Sequence, residues 1–150
     1  MAQSLAFSSI KHFLLICAVV VLVGCASTST SWVSDPSDPN NVKIEKLIRG
    51  SSNHGGLNKP TGELTKAELE KVEFLNLERN QLTDVKGLEK LTQLTLLHLN
   101  DNQLTDVKGL EKLTQLNILS LRNNPDLTKA QIDELQKALP KCKIYSNPTK

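Results

Sequence analysis

The chain predicts an α/β repeat: a short solenoid of about three full coils plus a degenerate fourth, with a parallel concave sheet and helical caps. Three observations predict it. Asn80 to Leu94 reads NQLTDVKGLEKLTQL, and Asn102 to Leu116 repeats the same fifteen residues at an offset of 22. Hydrophobic residues make up 39% of the chain but aromatics only 3%, so the core is aliphatic and built largely from leucine. Two near copies of one capping sequence, Leu64-Thr65-Lys66-Ala67-Glu68-Leu69 and Leu127-Thr128-Lys129-Ala130-Gln131-Ile132, flank the repeated stretch.

The coils share the frame Leu75-x-Leu77-x-x-Asn80-x-Leu82, then Leu97-x-Leu99-x-x-Asn102-x-Leu104, then Leu119-x-Leu121-x-x-Asn124 with Leu127 one place late. A period of 20–29 residues built on this pattern is the leucine-rich-repeat signature. A fourth instance, Cys142-x-Ile144-x-x-Asn147-Pro148, starts 23 residues beyond Leu119, the Pro125-Asp126 insertion supplying the additional residue. Each Leu-x-Leu pair makes a short strand with alternate side chains inward. Asn80, Asn102, Asn124 and Asn147 are predicted to stack as a ladder that satisfies backbone groups where the chain leaves the sheet. Along the return path Val85, Leu88, Leu91 and Leu94 are three apart, as are Val107, Leu110, Leu113 and Leu116. That spacing suits 3₁₀ turns better than an α-helix. Asp84 and Asp106 are placed to cap those turns, and Gly87 and Gly109 permit a tight bend.

Coils of this kind cannot bury their end faces alone, so caps are required. In both copies Thr stands at the N-cap, Glu or Gln three residues on, and apolar residues at N′ and N4, a capping box with a hydrophobic staple. The second helix turns Ile132, Leu135, Ala138 and Leu139 inward and stops at Pro140. Val42 to Arg49 reads as a short helix with Ile44, Leu47 and Ile48 on one face, and Gly50 to Asn58 as a mobile loop.

Ahead of the repeats stands an address. Met1 to His12 is polar, Phe13 to Val23 is an apolar run of eleven residues, and Gly24, Cys25 and Ala26 are small. A bilayer-spanning helix needs about 20 apolar residues, so the run is a secretory signal peptide. Leu22-Val23-Gly24-Cys25 resembles the lipobox of bacterial lipoproteins. The resemblance implies cleavage before Cys25, lipidation of its thiol, and anchoring in a lipid bilayer by several acyl chains, which suffices where one chain does not. Ala26 resembles the outer-membrane sorting signal of diderm bacteria. Ala26 to Asn41 is rich in Ser, Thr, Pro, Asp and Asn, a flexible tether with a reach of roughly 20–25 Å. Trp32 reads either as an incidental linker aromatic or as a group that dips into the membrane interface. The expected domains are therefore a cleaved signal (1–24), lipidated Cys25 with its tether (25–41), an N-terminal cap (42–74), and repeats with a C-terminal capping helix (75–150).

From about Val42 to Lys150 the chain resembles bacterial leucine-rich-repeat lipoproteins, its coils being like the 22-residue repeats of internalins. It departs from internalins in being very short, so an extended receptor surface is not implied. The coils share a scaffold and differ on the strands. By alternation, Phe74, Leu96 and Ile118 form an apolar column on the concave side. Asn76, His98 and Ser120 form one polar row and Glu78, Asn100 and Arg122 another, followed by Arg79, Asp101 and Asn123. Two readings stand side by side: a binding face for an envelope protein, or exposed positions that drift while the buried pattern persists. Four strands about 4.8 Å apart give a flat patch of roughly 250–300 Å², against about 800 Å² per partner in a standard interface.

Other chemistries find little support. Eighteen basic against sixteen acidic residues leave a charge of +2, too even to suggest a nucleic-acid partner. Three cysteines are an odd number for a disulfide scaffold. His54 and His98 lack a second histidine at metal-ligand spacing and a nucleophile in a recognisable frame, so both read as exposed bystanders and the chain as a non-enzyme without a cofactor. Cys142 takes the place of a core leucine as a buried, inert thiol. Lys86, Lys90, Lys108 and Lys112, with Glu89 and Glu111, read as a solvated convex surface. The whole predicts a lipid-anchored interaction module of a bacterial envelope, its oligomeric state open; the alternative is a structural envelope lipoprotein that self-associates or packs on the cell wall.

Overall fold

Four three-residue strands, β1 (Phe74–Asn76), β2 (Leu96–His98), β3 (Ile118–Ser120) and β4 (Lys143–Tyr145), form one sheet in the order β1-β2-β3-β4. All three pairings are parallel. This computed structural model describes residues 35–147; the signal peptide, Cys25, Ala26 and the tether as far as Ser34 lie outside the described residues. Leu75, Leu97 and Leu119 stack in register at the centre of their strands and are fully buried. Leu77, Leu99 and Leu121 follow, equally buried, in the continuing ladder where the N–H of Leu77 donates to His98 O and that of Leu99 to Ser120 O. The short α/β solenoid is thus the one the period demands.

The return path is built from 3₁₀ turns at Leu88–Lys90 and Leu110–Lys112. Gly87 and Gly109 enter them at φ 94° and 99°, a region that L side chains rarely adopt. Asp84 Oδ1 accepts from Lys86 N–H, and Asp106 Oδ1 accepts from Val107 and Lys108 N–H. Glu89 and Glu111 do more than solvate the convex surface. Their Oε2 atoms accept from Gly87 and Gly109 N–H at 2.7 and 2.6 Å, locking each bend from within its own coil.

The asparagine ladder has two complete rungs rather than four. Asn102 and Asn124 are buried. Asn102 Oδ1 accepts from Asn80 and Leu82 N–H, and its Nδ2 donates to Leu77 and Leu99 O, both at 2.9 Å. Asn124 accepts from Leu104 N–H and donates to Leu99 and Leu121 O. Among the described residues no coil precedes Asn80, and its Nδ2 donates to Glu78 O. Asn147 is exposed and bonds Asn123 instead.

That displacement follows from the fourth strand. Leu119 pairs with Ile144, not with Cys142. Helix α3 (Lys129–Ala138) replaces the 3₁₀ return in this coil, and a helix rises only about 1.5 Å per residue, so the 22-residue count does not carry across it. Cys142 is nonetheless buried, and burial pushes its thiol pKa up. On α3 the capping box forms as predicted, with Gln131 Oε1 accepting from Thr128 N–H and Oγ1. Ile132, Leu135 and Leu139 face inward, but Ala138 is exposed at the rim.

At the other end, helix α1 (Pro39–Arg49) begins three residues before the predicted Val42. Asp38 Oδ1 caps it through Asn40 and Asn41 N–H, and proline at the first helical position needs no partner. Asn40 and Asn41 are buried against the first coil, where Asn40 exchanges bonds with Thr83 and Asn41 donates to Lys86 O. The end of the predicted tether therefore belongs to the domain. Ile44 and Ile48 are fully buried and Leu47 packs partly against the core.

The expected mobile loop is also structured. Ser52–His54 forms a 3₁₀ turn, and Gly55, at φ 86°, lies so close to β1 that a Cβ would fall 1.8 Å from Phe74 O. The loop lies against β1, the edge strand of the sheet among the described residues.

Helix α2 (Lys66–Leu69) carries the first capping box. Lys59 Nζ reaches Glu68 Oε1 at 2.6 Å while Thr65 N–H and Oγ1 both donate to Oε2. The Lys59 ammonium first, then the Thr65 N–H and hydroxyl, hold the Glu68 carboxyl at about 2, from an ordinary 4.5. A folded-state pKa below the unfolded value contributes stability that is complete above the unfolded pKa and lost as pH falls toward the folded one. Glu68→Gln is therefore expected to lower the thermal midpoint at neutral pH. It should also flatten the loss that the wild type shows as pH falls from 4.5 toward about 2, a difference that melting at a series of acidic pH values measures.

Candidate interaction face on the concave sheet

The sheet register decides which side chains share the concave face. Phe74, Leu96 and Ile118 align as the predicted apolar column, but the fourth position is Lys143. The next row is Asn76, His98, Ser120 and then Tyr145. Ile118 is 37% exposed, and Phe74 and Leu96 are half-buried. Lys143 and Tyr145 were hidden from the sequence reading by the displaced register. The alternation in Lys143-Ile144-Tyr145 after Pro140, taken alone, carries the signal that both face outward.

The polar rows are bonded to one another. Glu78 Oε1 accepts from Asn100 Nδ2 at 2.6 Å, and Asn100 Oδ1 accepts from Arg122 N–H at 2.9 Å. Asn76 Oδ1 accepts from Glu78 N–H. His98 Nδ1 lies 3.7 Å from Glu78 Oε1, and its ring meets Phe74 edge-on at 5.8 Å between centroids. A second chain follows: Arg79 Nε lies 3.5 Å from Asp101, Asn123 Nδ2 donates to the other Asp101 oxygen, and Asn147 donates to Asn123 Oδ1. Arg79, Asp101 and Asn123 have φ of 58°, 56° and 56°. Asp and Asn adopt that left-handed region more readily than Arg does. Side chains already fixed by such bonds lose less entropy when a partner arrives.

Charge is graded along the sheet. Glu78 marks the β1 end, while Arg122 and Lys143 flank Tyr145 at 5.1 and 5.0 Å from its ring centroid at the β4 end. The face thus offers an apolar column between an acidic and a cationic end. Among the described residues no group of three or more His, Cys, Asp or Glu is placed to hold a metal ion. His98 has Glu78 beside it and Ser120 as its cross-strand neighbour on β3. His54 lies off the sheet, in the loop that covers β1.

The comparisons agree with this architecture. The fold is a short leucine-rich-repeat solenoid, and residues 92–137 match the family model described as leucine-rich repeats in two copies. Domains of this kind are generally non-catalytic modules that bind proteins. The functional domain of InlJ from Listeria monocytogenes, which includes a cysteine ladder, is similar at 27% identity and a TM-score of 0.50. The match covers 61% of this chain and 20% of that one. An internalin, InlF, from the same organism superposes with a TM-score of 0.58 at 23% identity, over 79% of this chain and 34% of its own. This chain spans about a fifth of the first structure and about a third of the second. No curated protein matches.

Proposed function

We propose that the chain is a non-enzymatic interaction module of a bacterial envelope that docks a protein partner on its concave sheet while an acylated Cys25 holds it at the membrane. The observation that carries the reading is the apolar column of Phe74, Leu96 and Ile118, aligned across three strands and set between polar rows that are already bonded in place. Leucine-rich-repeat structural relatives support an interaction role. The lipobox-like Leu22-Val23-Gly24-Cys25 supports export and anchoring, with Ala26 directing the protein to the outer membrane of a diderm bacterium. A small face gains from tethering, because confinement at a membrane raises effective concentration without adding contacts.

The test is crosslinking in native membranes. The wild type should capture a protein that is lost with Leu96→Glu and Ile118→Glu together, in a variant whose circular dichroism is unchanged; equal captures from both would reject the concave face. Cys25→Ser should move the protein from the membrane to the soluble fraction. The alternative, a structural lipoprotein that self-associates, draws on the outer edge of β4, which pairs with no strand among the described residues. Lys143 on that edge opposes such pairing, so concentration-dependent assembly of the purified chain is the result that would favour the alternative.

A further inference from the structure

The concave sheet does not end the interaction surface at β1. Between α1, the Ser51–Gly56 loop and the first coil lies a cleft of about 450 Å³ lined by Lys43, Lys46, His54 and Arg79, with Ser51 beside them and Leu47 among the apolar lining. No carboxylate lines it among the described residues. Elsewhere on the cap Arg49 is matched to Glu45 and Lys59 to Glu68, both at 2.6 Å. In the cleft Arg79 has only an exposed 3.5 Å pair with Asp101, and Lys43 Nζ reaches only the Asn80 carbonyl at 3.3 Å. The side chains of Lys46 and His54 make no hydrogen bond or ion pair among the described residues. A smaller recess shares Leu47, His54 and Arg79 with the cleft and opens onto Asn76 and Glu78 of the concave rows, so the two surfaces are continuous.

A second observation marks the same place. Asn80–Leu94 and Asn102–Leu116 are identical in sequence, yet Gln81 sits at φ 54° and Gln103 has no positive φ. Identical residues in different backbone states mean that the surroundings impose the difference. Gln103 N–H donates to Leu82 O of the preceding coil, whereas Gln81 follows Asn80, whose carbonyl accepts from Lys43 Nζ. Backbone held in a sparsely populated region by its neighbours is a recurrent mark of ligand sites.

We infer that this cleft is a subsite for carboxylate side chains on an acidic segment of the protein partner, extending the docking face past β1; the inference rests on the reading of that face as a docking surface. Unmatched cations call for an anionic occupant, and the recess opening onto the sheet calls for a chain that runs along both. A bilayer presents a plane of headgroups, which does not follow a recess between a helix and a sheet.

The probe is a fluorescent hexaglutamate peptide, titrated against the full chain at low salt and again at about 0.3 M salt, where screening shortens the reach of exposed charges. Lys43→Gln with Lys46→Gln, both exposed positions, should weaken binding about five- to tenfold, as two exposed charge contacts allow. Added salt should weaken the wild type similarly. Absence of peptide binding by the wild type, or equal affinity in the lysine variant, overturns the subsite. Sedimentation with phosphatidylglycerol vesicles that depends on the two lysines, without peptide binding, overturns the peptide assignment in favour of a membrane. Partner capture lost with Leu96→Glu and Ile118→Glu, alongside unchanged peptide binding in the lysine variant, overturns the subsite and leaves the docking face standing.

Discussion

Asn102→Ala should destabilise the domain by roughly 3–5 kcal/mol, since orphaned buried polar groups cost about 1–3 kcal/mol each. The side chain serves Asn80 and Leu82 N–H through Oδ1 and Leu77 and Leu99 O through Nδ2. Alanine leaves these groups without that partner, and water reaches only those near the rim. The thermal midpoint should fall on the order of 10–20 °C for a domain of this size. Asn147→Ala provides the contrast. That residue is exposed and, among the described residues, bonds only Asn123, so the loss should stay below about 1 kcal/mol. Chemical denaturation of both variants checks the pair. Equal effects would mean that the ladder runs through all four coils as the sequence pattern suggests.

Leu97→Ala carries the second large effect. Leu97 is fully buried at the middle of β2 between Leu75 and Leu119. Coils on both sides hold their positions, so the space cannot collapse, and the cost should reach about 3–5 kcal/mol, the upper part of the range for buried leucine truncation. Ile144→Ala removes the corresponding side chain from β4, where burial is only partial and no further strand follows among the described residues. There the loss should be about 1–2 kcal/mol. Denaturant midpoints of the two variants measure the difference directly.

What the sequence made legible is what repeats. The inward leucines, the 3₁₀ return and the glycine bends recur at a fixed interval, so one coil interprets the next. The misreadings fall where repetition stops. Counting from Leu119 placed Cys142 in the strand register, because nothing in the spacing reveals that α3 takes the place of a 3₁₀ return. That error moved Asn147 into a ladder it does not join and hid Lys143 and Tyr145 from the concave face. At the N-terminal end Asn40 and Asn41 looked like linker residues, since polarity alone cannot show that an amide has Thr83 and Lys86 opposite it. The Gly50 to Asn58 stretch looked mobile for the same reason. Its Gly55 serves close approach to Phe74 of β1, a requirement that the local composition does not show. Glu89 and Glu111 carry charge at exposed helical spacing, and only the geometry shows them bonding the N–H of the glycine two residues before. The concave apolar column, by contrast, was readable from alternation alone, and Phe74, Leu96 and Ile118 align as it required.

The central claim is that partners meet the concave face. The most direct measurement places a photo-crosslinking side chain in the living cell, one position at a time, at Leu96, Ile118 and Ser120 on the concave side and at Lys90 and Lys112 on the convex turns. The account predicts a single discrete adduct from the concave positions and none from the convex ones. Adducts of equal yield from both sides, or from the convex turns alone, would contradict it.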